Sequence, residues 1–182
     1  VHGLIWGYRL HIRAVKCRDD LDHPSPRPEL TAQPDEFART LEGCNAVYRN
    51  CGFSFVFDPK DDWHELANTA INRDTSLASG DNLDHWAYAD TCDDAVVCFL
   101  RWGQWPDATG QSYSGGPFPD ANGNSGRYVA LSGFYAGAGS GNGMNQLQGA
   151  HLAHELGHYF GLAHTFNGPG EYPAGASQAQ VF

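Results

Sequence analysis

The chain has 182 residues with 41% hydrophobic and 13% aromatic content, enough for one sizeable core and unlike a disordered composition. A net charge of −10, with Lys and Arg scattered, gives no footprint for nucleic acid or an anionic membrane. No apolar run approaches the ~20 residues that a membrane-spanning helix needs.

In chain order, Tyr8 to Cys17 alternates as a strand, with Leu10, Ile12 and Ala14 on one face. A Pro-rich connection follows. From Thr31 the period changes: Phe37, Leu41, Cys44, Val47 and Tyr48 recur at helical spacing, so Pro34 to Asn50 reads as an amphipathic helix. Thr31 is the expected cap at its start and Gly52 the stop at its end. FSFVFD is a short aromatic strand. Residues 59–94 are acidic and weakly patterned, and read as loops with one short helix. The apolar run from Ala95 to Trp102 reads as a buried strand, and RYVALSG as another after a Gly/Pro-rich loop. Ala136 to Gly143 is a low-complexity connector without the spacing of a dinucleotide loop. A last helix is expected from Asn145 to Leu162, with Leu152, Leu156, Phe160 and Leu162 on its buried side.

That helix opens the run HLAHELGHYFGLAHTF, which holds four of the nine histidines. Residues four apart share a helix face, so His154 and His158 can reach one ion. Gly161 permits a sharp turn after the helix, which returns His164 to the same point. Three imidazoles with an open fourth position describe a catalytic zinc site. Glu155, next to His154, is turned about 100° from it and is read as general base rather than ligand. Zinc would acidify a water and polarise a carbonyl, and Glu155 would take the proton. HExxH alone arises by chance on solvated helix faces, but Gly161 and His164 lower that chance by a factor of roughly several hundred. His151, one turn earlier, faces the cleft or caps a hydrogen bond and is not expected to ligate.

The run HELGHYFGLAHTF resembles the pappalysin family of metzincin zinc metallopeptidases, whose members follow the third histidine with Thr-Phe, as Thr165 and Phe166 do here. The similarity is specific over Gln148 to Asn167. It extends more weakly to LTAQPDEFARTLEGCNAVYRNCGFSFVF and to RYVALSG. It implies an α+β zincin fold, a twisted mixed sheet with a backing helix and an active-site helix. It further implies a secreted endopeptidase acting on protein or peptide substrates, which would pair with an edge strand, expected here at Arg127 to Ser132. We expect a single zincin-like catalytic upper domain over residues 1–182, with the active-site helix and third-ligand turn at 145–164. We also expect a monomer, with neither nucleic acid nor membrane as partner.

The pattern departs from the family in one respect. Its methionine turn should follow the third histidine, whereas the only methionine, Met144, precedes the helix. Tyr172 is the one tyrosine in the tail, and the family's tyrosine near that turn has no counterpart. The chain is therefore expected to be the upper part of a longer enzyme, with the C-terminal subdomain truncated. A metal- and peptide-binding module without proteolysis is the alternative reading, and intact Glu155 argues against it.

Other features weigh less. Asp120, Asn122 and Asn124 match the first ligands of a calcium loop, but the glycine comes one position late and no acid closes the loop. A polar turn fits better there, and calcium stays a second cofactor candidate, as it does at the acidic stretch from Asp81 to Asp94. Trp63, Trp86, Trp102 and Trp105 read as aromatic core rather than sugar platforms. Cys17, Cys44, Cys51, Cys92 and Cys98 lack CxxC spacing, which disfavours a zinc knuckle. Their dispersal suggests an oxidising compartment and disulfides, with one thiol left over.

Overall fold

The computed structural model describes residues 7–22, 32–73, 83–102, 112–115, 128–132, 146–160 and 162. Met144, Gly161, His164, Thr165, Phe166 and Tyr172, the Asp120 loop and the 136–143 connector lie outside them.

The described strands are β1 (Tyr8–Arg18), β2 (Phe53–Val56), β3 (Trp63–Ala67), β4 (Val96–Arg101), β5 (Ser112–Gly115) and β6 (Tyr128–Ser132). The helices are α1 (Pro34–Tyr48), α2 (Thr69–Arg73), α3 (Leu83–Ala89) and α4 (Gln146–Tyr159). The sheet order is β2-β1-β4-β6-β5. It is parallel except for β5, which runs antiparallel to β6. β1 is long enough to carry two short neighbours end to end on one side. Residues 8–11 pair with β2 and residues 14–18 pair with β3. The mixed sheet with a backing helix and a site-bearing helix makes the chain α+β.

Strand alternation separates two cores. Ile12, Ala14, Val96, Cys98, Leu100, Val129 and Leu131 point to the side covered by α1 and α4. Val15, Cys17, Val97, Phe99, Tyr128 and Ala130 point to the other, where Ile71 of α2 and Ala89 of α3 pack. On that second side Asp19 pairs with Arg73 and accepts from Asn72, whose side-chain oxygen holds the Trp102 amide at 3.0 Å. His85 stacks on Tyr128 with ring centroids 5.1 Å apart. Burial, with the nearby Arg101 charge adding, pushes its pKa down to about 3.

α1 begins at Pro34 as expected, but its N-cap is Gln33 rather than Thr31. Thr31 lies outside the described residues, and it is Glu36 that reaches back to accept from the Gln33 amide at 3.1 Å. Gly52, at φ 78°, is the one described residue with left-handed backbone, and it turns the chain from α1 into β2.

Four expectations are corrected. Residues 59–94 hold β3 and the short helices α2 and α3, not mainly loop. β3 is marked weakly in sequence because its stability comes from pairing with β1 rather than from its own pattern. The segment after Trp102 holds β5, which was hidden in a Gly-rich stretch. Leu162 is 62% exposed rather than buried, because α4 stops at Tyr159. All five cysteines are free thiols, so the expected disulfides are absent. Burial pushes the Cys17 and Cys44 thiols up to about 12, which leaves both inert as nucleophiles.

Candidate active site

α4 is seated on α1 by closeness rather than by bulk. A Cβ on Gly149 would stand 2.8 Å from the Thr40 carbonyl oxygen and 2.9 Å from the Gly43 Cα, so the two backbones nearly touch. One turn on, the Tyr48 hydroxyl donates to the Ala153 carbonyl at 2.7 Å. Leu152, Ala153 and Leu156 are buried between the helices and the sheet. Phe160 packs edge-on against Phe53, with centroids 5.5 Å apart. With that face turned inward, helical geometry turns His154 and His158 outward on the opposite side. The His154 side chain is 50% exposed.

The imidazoles of His154 and His158 meet through Nε2 atoms 3.1 Å apart. Two ligands of a tetrahedral zinc ion, each about 2.0–2.1 Å from it, stand about 3.3 Å apart. The pair therefore fits one edge of such a site with a few tenths of an ångström of adjustment. His158 is also held from behind. Its Nδ1 lies 2.7 Å from the Leu162 carbonyl oxygen, which can only accept, so the Nδ1 proton points there and the Nε2 lone pair faces His154. The Leu162 carbonyl reaches that place because the Leu162 amide donates back to the Gly157 carbonyl at 2.9 Å.

Glu155 lies to the side of this pair, its side chain 5% exposed. Its Oε1 is 3.9 Å from His154 Nε2 and 3.6 Å from His151 Nε2. The Cys98 thiol lies below it on β4. Burial first, and the Glu155 charge among lesser contributions, push that thiol up, so it stays neutral beside the carboxylate.

The structure thus brings together His154, Glu155 and His158. The third motif histidine, His164, and the turn residue Gly161 lie outside the described residues. Among the described residues no group of three His, Cys, Asp or Glu side chains is arranged to hold a metal ion. Sequence reasoning overlooked the Leu162 carbonyl and the Tyr48 hydroxyl, neither of which carries a motif. It left His151 without a partner, although the spacing of His151 to Glu155 repeats that of His154 to His158.

The strand assigned to substrate pairing is also corrected. β6 pairs with β4 on one side and with β5 on the other, and Tyr128 to Leu131 are buried. A strand between two partners has no free edge to offer. The edge on this side of the described sheet is β5.

Comparison with solved structures finds likenesses of shape. Metalloproteinase-II from Bacteroides fragilis superposes with a TM-score of 0.42 and 13% identity. The match covers 89% of this chain and 45% of that one, so the chain spans less than half of its length. No family model and no curated protein matches the sequence.

Proposed function

We propose that this chain is the zinc-binding part of a metallopeptidase of the pappalysin-like metzincin type, hydrolysing peptide bonds of protein substrates. The observation that carries the reading is the pair of Nε2 atoms 3.1 Å apart with His158 fixed from behind, set beside a buried carboxylate. His154 and His158 would hold the ion, with His164 as third ligand by the motif. Bound there, zinc supplies a Lewis acid that polarises the scissile carbonyl and acidifies a water.

The chain's own groups do the rest. Leu162 keeps His158 in the ligating tautomer. Glu155 accepts the proton of the attacking water and returns it to the departing amine. Its burial limits the competing water around that proton transfer. An extended substrate adds to β5, the edge of the described sheet on this side, where backbone groups give affinity without demanding a particular sequence. A metal- and peptide-binding module remains the second reading, and an intact Glu155 disfavours it because binding needs no general base.

The test separates the metal from the chemistry. The parent chain should bind about one zinc by elemental analysis after reconstitution, and His154→Ala should lose it. Glu155→Gln keeps the volume but cannot take a proton at neutral pH, so it should keep the zinc while hydrolysis of a peptide library falls at least ~10²-fold. Loss of zinc in Glu155→Gln would make the residue a ligand, and parental turnover would rule out the proposed mechanism.

A further inference from the structure

We propose that His151 is a positioning residue for Glu155, a role that rests on Glu155 being the general base. α4 carries two interleaved pairs at the same spacing: His154 with His158, and His151 with Glu155. In the first pair the nitrogens meet at 3.1 Å. In the second, His151 Nε2 stands 3.6 Å from Glu155 Oε1. That separation is just beyond a hydrogen bond, and leaves a ring nitrogen of His151 as a polar neighbour of the carboxylate.

The surroundings give the contact its purpose. The Glu155 side chain is 5% exposed, so water does little to settle its charge. A glutamate has three side-chain torsions, and a general base must sit within about 0.5 Å of its working place. The imidazole of His151 has two torsions, is 31% exposed and projects from the same rigid helix. It meets the carboxylate from the turn before, while His154 Nε2 approaches the same Oε1 at 3.9 Å. His154 Nε2 is committed to the pair with His158, so it is His151 that holds the carboxylate at Oε1 and leaves the other oxygen for the proton.

The spacing also sets His151 apart from the metal. It stands seven residues before His158, about 10.5 Å along the helix axis, which is too far for both rings to reach one ion. Its influence on the reaction therefore passes through Glu155.

Two measurements decide the matter. A double-mutant cycle on the metal-free full chain, with His151→Leu, Glu155→Gln and both together, is read by urea unfolding and requires no activity. Non-additivity of at least about fivefold in the unfolding constant is expected, and additivity within twofold overturns the pairing. In the zinc-loaded chain His151→Leu should lower kcat about tenfold with KM and zinc content unchanged. His151→Gln, which keeps an N–H near the position of Nε2, should recover most of that loss. A change confined to KM, a Gln variant no better than Leu, or zinc lost in step with His154→Ala would each overturn the proposal. An inactive zinc-loaded parent is seen before any variant is made. It would retire the peptidase reading and reduce His151 to a structural partner, which overturns the positioning role.

Discussion

Gly149→Ala sets local helix propensity against tertiary fit at a single atom. In an exposed helix the change gains about 1 kcal/mol, because glycine loses more backbone freedom on folding. At this site the added Cβ would stand 2.8 Å from the Thr40 oxygen, 2.9 Å from the Gly43 Cα and 3.1 Å from the Cys44 nitrogen. All three are backbone atoms of α1, so no side chain can swing aside. The helices must separate by about 0.5 Å, and a gap of that size forfeits a quarter or more of the dispersion well of each contact across the seam. Leu152 and Leu156 on one helix, with Leu41 and Cys44 on the other, lie at that seam. Overpacking of this kind costs about 1–3 kcal/mol, so the variant should be destabilised by about 1–2 kcal/mol despite its better propensity. Gly157→Ala is the control on the same helix. Its Cβ would meet Leu162 Cδ1 at 3.6 Å and the Tyr48 hydroxyl at 3.7 Å, which is ordinary contact. It should gain about 0.5–1 kcal/mol from propensity alone. Urea unfolding of both metal-free variants beside the parent gives the comparison. Equal stabilities for the two would refute the close crossing of α1 and α4.

Three further outcomes follow from the geometry. His85 is held neutral with its pKa pushed down to about 3, so the unfolded chain binds the extra proton between about pH 6.5 and 3. The stability it contributes is complete above pH 6.5 and is lost as pH falls, at up to about 1.4 kcal/mol per unit; His85→Phe should flatten that acid limb, and an unchanged slope would count against the buried neutral ring. Tyr48→Phe removes the 2.7 Å bond to the Ala153 carbonyl and should cost about 1 kcal/mol in urea unfolding, with no cost indicating that the two helices do not dock through it. Proline placed singly at each of Ser112 to Gly115 should weaken binding of a peptide inhibitor at alternate positions, where the amide faces away from β6, with zinc content intact. Four silent substitutions would place the substrate elsewhere.

Much of the candidate site could be read without coordinates, because its chemistry is local. The spacing of His154 to His158 is a property of one helix, and one helix is enough to bring their nitrogens together. Other features needed partners distant in sequence. Gly149 looks like a weak point in α4 until α1 is laid against it, 105 residues separating Tyr48 from the Ala153 carbonyl it grips. β3 and β5 carry little strand signal of their own, and they form because β1 and β6 offer unpaired edges. The same pairing buries β6 and moves the edge of the described sheet to β5. Sequence by itself determined which side chains share a helix face, since that depends only on the helical repeat. Tertiary structure decided which strand is an edge of the described sheet and which glycine is a contact, since each depends on what the rest of the chain places beside it.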